Sequence, residues 1–195
     1  MHTQPFTSTA ALPYLEHLAQ LRIQVFRDFP YLYEGDMGYE MDYLQTYIHA
    51  PDSVIVIAFD GEKVVGASTG IPMAFEPENI QLPWREQGYD IDKVFYYGES
   101  VLLKGYRGRG IGVQFFEHRE RWARQLGRFD IATFCGVVRP DDHPDRPPDF
   151  VPLDDFWRKR GFTKTKDLVC YISWLDVNEE QESAKPLHFW YKRIN

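Results

Sequence analysis

Tyr106-Arg107-Gly108-Arg109-Gly110-Ile111-Gly112 decides how this chain is read. It lies between KVFYYGESVLL (93–103), whose β-branched and aromatic content predicts a strand, and VQFFEHRERWARQLG (113–127). In the latter, Phe115, Phe116, Arg119, Trp122, Ala123 and Leu126 fall on one helical face and Gly127 closes the helix. A strand that turns through glycines into a helix presents successive backbone N–H groups at the positive end of the helix dipole, a setting that favours a phosphate. Glycines at 108, 110 and 112 let an anion approach the backbone, and Arg107 and Arg109 add positive charge in the same turn.

Two common phosphate motifs do not fit. A Walker A loop needs Lys followed by Ser or Thr after its last glycine, and Ile111-Gly112-Val113 follows Gly110. A dinucleotide fingerprint needs a third glycine where Val113 stands, within a repeated βαβ pattern that this chain lacks.

Outward from the loop, a first helix is expected over about Leu12–Asp28, then a loop through FPYLYEGDMG (29–38) and a second helix that stops before Pro51. SVIVIAFDGEKVVGASTGIPM (53–73) reads as a β-hairpin around Asp60-Gly61. The stretch Glu76–Asp92 is expected to be a surface loop with some helix. FDIATFCGVV (129–138) is a further strand, and RPDDHPDRPPDFVP (139–152) is too proline-rich for regular structure. LDDFWRKRGF (153–162) predicts a short helix, and DLVCYISWL (167–175) and KPLHFWYKRI (185–194) two closing strands. One domain, 1–195, is the expectation for a chain of this length.

Composition narrows the function. The net charge is −7, and basic residues are scattered, unlike the footprint of a nucleic-acid binder. No apolar run reaches the ~20 residues that span a bilayer, and no signal peptide is visible. Cys135 and Cys170, each inside an apolar run, suit neither a disulfide framework nor a cysteine zinc site. His118 has no second histidine at ligand spacing, so no metal is expected. A cytoplasmic protein is the resulting expectation. The 14 Phe, 12 Tyr and 5 Trp supply core area and, in part, cavity walls.

The loop and its flanks resemble the GNAT superfamily of acetyl-CoA-dependent N-acetyltransferases. Arg107, Gly110 and Gly112 fill that family's pyrophosphate signature, and the order of helices, hairpin, cofactor strand and FWRKRGF matches along almost the whole chain. The resemblance implies an α/β (α+β) fold: a central mixed, mostly antiparallel twisted sheet flanked by helices, with two strands splayed at the cofactor slot. It implies acetyl-CoA as cosubstrate. Val101, Leu102 and Leu103 would lie along the pantetheine arm, and the backbone of Arg107, Gly108, Arg109, Gly110, Ile111, Gly112 and Val113 would hold the pyrophosphate. Strand residues Ala132–Val137 would form the other side of the slot, with Phe156 and Trp157 flanking the cofactor. A homodimer is frequent in the family.

This chain departs from the pattern at two positions. Tyr96 stands where histone-type relatives carry a glutamate, and Trp157 where many carry a tyrosine acid, so the general acid is unassigned. The remaining base is Glu99, which strand alternation puts on one face with Tyr97, Val101 and Leu103. Desolvation there would raise its pKa; the alternative is a structural glutamate paired with an arginine or capping a bulge. Acceptor contacts are expected from Tyr31 and Tyr33 near Phe29 and Glu34, from Tyr97, and from His143 and Arg146 in the proline-rich loop; core packing and simple loop cover are the alternatives. Glu99, the acid-rich loop residues Asp141, Asp142, Asp145 and Asp149, and the aromatics Tyr31 and Tyr33 favour a small amine acceptor that is cationic or aromatic, although Arg139 and Arg146 could instead clamp a carboxylate. A protein or peptide amine, and a silent CoA-binding module, are the competing readings.

Overall fold

A computed structural model describes all 195 residues. In chain order the elements are β1 (His2–Phe6), α1 (Leu15–Phe26), α2 (Met37–His49), β2 (Val54–Asp60), β3 (Lys63–Pro72), α3 (Glu78–Glu86), β4 (Val94–Tyr96), β5 (Ser100–Leu102), α4 (Ile111–Leu126), β6 (Ile131–Val137), α5 (Asp154–Arg158), β7 (Thr163–Trp174) and β8 (Ser183–Arg193). They build one sheet of order β1-β2-β3-β4-β6-β8-β7, with β5 also paired to β3. Only the β4–β6 pair is parallel, so the sheet is mixed and mostly antiparallel, as expected.

Both faces of the sheet are covered. Strand β2 is therefore apolar at every position but its last, unlike a half-solvated strand. Its Ile55, Ile57 and Phe59 join Leu18, Leu44, Tyr47 and Trp84 on the face packed by α1, α2 and α3. Its Val54, Val56 and Ala58 join Phe95, Phe115, Phe116 and Trp190 on the face packed by α4. The hairpin turn is as read: Asp60 pairs with Lys63, and Gly61 takes a φ of 60°, the left-handed region that glycine enters without penalty.

Four expectations need correction. The opening segment adds an edge strand, His2–Phe6, on Phe59–Ile55. The first helix is α-helical only from Leu15, because Pro13 sits in a 3-10 turn, Ser8–Tyr14, that precedes it. The second starts earlier than its apolar residues indicated, where Asp36 caps it by accepting from the Tyr39 amide at 2.9 Å. The stretch 76–92 is not surface cover: Ile80 and Trp84, four residues apart on α3, are both buried, and Trp84 meets Phe189 edge-on at 5.6 Å. Its two prolines disguise the helix. Pro77 is its N-cap, where a missing N–H costs nothing, and Pro83 removes a single intrahelical bond.

One more correction positions the site. The expected single strand 93–103 is two, β4 and β5, separated by Tyr97-Gly98-Glu99. Opposite it, β3 pairs Ile71 with Tyr96 and Ser68 with Ser100, so four steps on one strand face three on the other. The extra residue is a β-bulge on Thr69, which accepts from the Gly98 amide at 3.2 Å, donates to the Glu99 carbonyl at 3.1 Å, and takes the Glu99 amide on its hydroxyl at 3.2 Å. The bulge bends the strand away from β6, whose last tie to it is the Tyr97 amide on the Thr133 carbonyl at 2.7 Å. Beyond Thr133, β6 pairs only with β8, through Val137–Leu187. The splay between β5 and β6 follows.

Gly98 has no room for a side chain. A Cβ there would lie 2.5 Å from the Thr69 hydroxyl and closer still to that of Tyr47. Gly98→Ala is expected to lose about 1–3 kcal/mol, the usual cost of overpacking. Thermal denaturation should show a melting temperature several degrees lower. Gly105→Ala, where a Cβ meets nothing within 4 Å, should stay within ~0.5 kcal/mol of the parent.

Candidate active site

The glycine loop behaves as its sequence implies. Gly108 and Gly110 have φ of 76° and 82°, and a Cβ on either would point into open space. Non-glycine residues resist that backbone region, and its consequence is a row of outward amides. None of the five N–H groups from Gly108 to Gly112 donates to a backbone carbonyl, whereas those of Val113 and Gln114 turn inward to Gly110 at 3.0 and 3.2 Å. Five orphan donors at the start of a 16-residue helix fit a pyrophosphate. Arg107 and Arg109 brace the loop, through Arg107 Nε to the Leu102 carbonyl at 3.2 Å and an Arg109 terminal nitrogen to the Gly105 carbonyl at 2.9 Å.

On the open edge of β5 the backbone choice is narrower than Val101, Leu102 and Leu103 together. Glu99 and Leu103 bond to β3, through the Thr69 amide at 3.1 Å and the Val65 carbonyl at 3.0 Å. Alternation spends Val101 on the same side and turns the peptide groups of Leu102 to the gap. Across the gap Cys135, Gly136 and Val137 are part-exposed. Trp157 covers Gly136, where a Cβ would come within 3.1 Å of its ring, and stacks edge-on with Phe134 and Trp190, each at 5.1 Å. Phe156 lies against Gly112. Both therefore flank the slot by packing.

On the α1–α2 side of the splay lies a buried polar cluster. Arg22 of α1 pairs with Glu99 at 2.7 Å and with Glu40 of α2, and sits 4.1 Å over the ring of Tyr43. The Tyr43 hydroxyl donates to Glu99 at 3.2 Å and meets the Tyr47 hydroxyl at 2.8 Å; Tyr47 donates to Glu76 at 2.8 Å. Across the gap the Tyr96 hydroxyl meets Cys135 Sγ at 3.1 Å. Burial is the main cause that pushes Glu76 up to about 7, with the nearby negative charge of Glu99 adding to it. Burial also raises Tyr43, Tyr47 and Tyr96 above the usual phenol range, so all three keep their protons at neutral pH. Arg22 is raised as well: burial opposes its charge, and Glu99, Tyr43 and Glu40 together overcome that penalty.

The sequence-predicted residues divide. Glu99 stands in the cluster, but as an ion pair on a bulge and not as a lone carboxylate in an apolar strand. Tyr31 joins it: its ring packs 4.6 Å from Phe26, and its hydroxyl, raised by burial, feels Cys135, Arg22 and Glu99. Tyr33 is half-buried beside Glu40. Tyr97 does not share the face of Glu99. The bulge inverts alternation, leaving Tyr97 1% exposed under α4, 4.3 Å from the Arg119 guanidinium, so the acceptor role expected of it is corrected to core packing. His143 and Arg146 belong to the loop rim, where Phe29 meets His143 at 5.7 Å and Phe150 at 4.7 Å while Arg146 pairs with exposed Asp141 at 2.8 Å. Arg139 is not free to clamp a carboxylate: it makes a two-pronged pair with Asp176 at 2.6 and 2.9 Å and holds the carbonyls of Pro30 and Tyr31. The sequence reading missed Arg22, Glu40, Tyr43, Tyr47 and Glu76. Tyr39, Tyr43 and Tyr47 at i, i+4 spacing were the available signal.

Two outcomes follow. Gly110→Glu would put a carboxylate where the orphan amides converge, and at a φ of 82° it also strains the loop. Calorimetry on the folded variant should show CoA affinity falling by at least ~10-fold, about 1.4 kcal/mol; unchanged affinity removes the loop from the cofactor site. For Glu76, the folded value of about 7 lies above its ordinary 4.5, so the folded state holds a proton that the unfolded chain releases. Stability from this group is present below pH ~4.5 and lost as pH rises to about 7, on the order of 3 kcal/mol in all. The melting temperature of Glu76→Gln relative to the parent should therefore be several degrees more favourable at pH 8 than at pH 5.

The chain matches the family model described as the acetyltransferase (GNAT) family over residues 18–147. No curated protein matches it in sequence. Among solved structures it is similar to yncA, a putative acetyltransferase from Salmonella typhimurium with its cofactor acetyl-CoA, at a TM-score of 0.63 and 10% identity over 100% of this chain and 95% of that one. A ribosomal-protein-alanine N-acetyltransferase from Brucella melitensis gives 0.64 and 13% over 99% of each chain. An aminoglycoside 6'-N-acetyltransferase complexed with coenzyme A gives 0.61 and 15% over 100% and 98%. No helix here is long and apolar enough to cross a membrane. With its orphan-amide loop, its splayed strands and the family match over two-thirds of its length, the chain belongs to the GNAT family and is an acetyl-CoA-dependent acetyltransferase.

Proposed function

We propose that this enzyme acetylates a small primary amine, cationic or aromatic, by direct attack in a ternary complex, and that it does so in the cytoplasm. The carrying observation is the charge balance of the buried cluster. Buried Glu40 on α2 and Glu99 on the bulge share Arg22, while buried Glu76, in the turn after β3, is linked to Glu99 through Tyr47 and Tyr43 and has no cation in contact. Three carboxyl groups thus have one cation in contact, because buried Arg119 behind Glu99 is spent on backbone carbonyls and the Ser100 hydroxyl; the walls are Tyr31, Tyr43 and Tyr96, and Arg139, which could have clamped an acceptor carboxylate, is bound to Asp176. An ammonium group is attracted by such a cluster and by aromatic faces, the latter by ~0.5–2 kcal/mol. The loop 139–150, latched to the Pro30–Tyr31 carbonyls and packed on Phe29, narrows the approach. That favours a small molecule over a protein tail. The likeness to a structure named as an aminoglycoside 6'-N-acetyltransferase adds support for an amine acceptor. The free thiols of Cys135 and Cys170 suit a reducing compartment.

Acetyl-CoA, when bound, supplies the thioester carbon that the amine attacks, the CoA thiol being the group that leaves. The amides of Gly108–Gly112 hold its diphosphate, Leu102 meets its pantetheine arm, and Cys135–Val137 wall the thioester end. Glu99 accepts the proton that an ammonium must lose before its nitrogen is nucleophilic. Arg22 keeps that carboxylate in place, and Phe156 and Trp157 exclude water from the slot.

A thiol-release assay over paired acceptors, each amine against its carboxylated analogue and each against a peptide, tests the proposal. The expected result is turnover of free amines, with the carboxylated partner and the peptide poorer. In the same assay Glu99→Gln should lower kcat on the order of 10²-fold or more while CoA binding stays within two-fold. A consistent preference for carboxylated acceptors or peptides overturns the acceptor class, and turnover of Glu99→Gln within a few-fold of the parent overturns the base.

A further inference from the structure

Glu99, Tyr43, Tyr47 and Glu76 form one unbroken chain of oxygen atoms, with contacts of 3.2, 2.8 and 2.8 Å. Their protons can be counted. With both carboxylates ionised, the chain has three oxygen–oxygen contacts and two phenol hydrogens, and a carboxylate cannot donate. One contact is then oxygen facing oxygen with nothing between, inside the protein, where unmade hydrogen bonds are costly. One additional proton fills all three. Placed on Glu76, it lets Glu76 donate to Tyr47, Tyr47 to Tyr43, and Tyr43 to Glu99 beside Arg22.

We infer that Glu76 is the resting place of the acceptor's proton, taken up at Glu99 and passed through Tyr43 and Tyr47. This rests on the acetyl-transfer reading and on Glu99 as the point of entry. The step balances. An ammonium acceptor gives one proton to the Glu99 carboxylate; Glu99 returns a proton to the Tyr43 oxygen as Tyr43 gives its own to Tyr47 and Tyr47 gives its own to Glu76. The second nitrogen proton departs with the CoA thiol, and the stored one returns to water before the next turnover.

Geometry supports the assignment from every side. Arg22 of α1 lies on Glu99 at 2.7 Å, while Glu76 has no cation in contact. The groups that face Glu76 are Tyr43 and Tyr47 of α2, Tyr96 of β4, Glu99 of the bulge and Cys170 of β7, with Arg22 acting from farther away. Gln81 of α3 fixes the Glu76 backbone carbonyl, and the Tyr47 hydroxyl holds its carboxyl group at 2.8 Å. Burial then sets Glu76 near neutrality, where a proton both arrives and leaves.

The test uses the parent enzyme with Glu76→Gln and Tyr47→Phe. The first removes the store and the second cuts the chain while leaving both carboxylates. In the parent, kcat against pH should fall on the acid side with a midpoint of about 7, because only ionised Glu76 can take the proton. Both variants should lose that limb and drop in kcat by roughly 10- to 100-fold at neutral pH, with CoA affinity within two-fold of the parent. Folded variants that keep the parental limb and kcat overturn the inference. Infrared titration gives a second readout that needs no turnover: a protonated-carboxyl band appearing as pH falls through 7 in the parent and absent in Glu76→Gln. If no amine is acetylated but the band is found, the acceptor reading fails and the proton store stands; if the parent lacks the band, the store is overturned whatever the activity.

Discussion

The bulge on Thr69 is the constraint on which the rest of this molecule depends. One residue more on the 94–102 strand than on β3 cannot be absorbed by a flat ladder, so the strand bends, its pairing with β6 ends at Thr133, and a slot opens in the middle of a continuous sheet. Arg119 of α4 holds the deformation. Fully buried, it donates to the carbonyls of Thr69 at 3.2 Å and Glu99 at 3.1 Å, and to the Ser100 hydroxyl at 2.9 Å. Its charge is stabilised by the faces of Tyr97 and Phe116 at 4.3 and 4.9 Å, although burial still lowers it to about 10. The helix that carries the glycine loop at one end thus also holds the backbone of Glu99.

Buried charge accounts for the layout of the cluster between α1, α2 and the bulge. An isolated ion in this interior would cost several kcal/mol, so Arg22 is shared between Glu40 and Glu99, and the remaining carboxylate, Glu76, is hydrogen-bonded to a phenol instead of a cation. Two carboxylates thus share Arg22, and the third carboxyl group has no cation in contact. The proposals of a cationic acceptor and of a proton store both rest on that arrangement. Gly98 is the packing counterpart: only a residue without a side chain lets Tyr47 approach both Thr69 and Glu76.

Much of the architecture was legible because its signals are local. The glycines of the phosphate loop, the Asp60-Gly61 turn, the apolar face of α4 and its closing Gly127 are all written within a few residues of where they act. Where the reading erred, the missing information lay elsewhere in the chain. Pro77 and Pro83 masked α3 because only Phe189 and Tyr89 reveal that Trp84 is buried. Tyr97 was assigned to the wrong side because alternation holds only in an unbroken strand.

By itself, then, the sequence determined the phosphate loop, the order of helices and strands, and the family, since backbone conformation and hydrophobic period depend on neighbours within about one helical turn. The tertiary structure alone decided which carboxylate is paired and which is left to titrate. Glu99 meets Tyr43 across 56 positions and Glu76 meets Tyr47 across 29, and the energy of a buried charge is set by whatever the fold brings within a few ångströms of it.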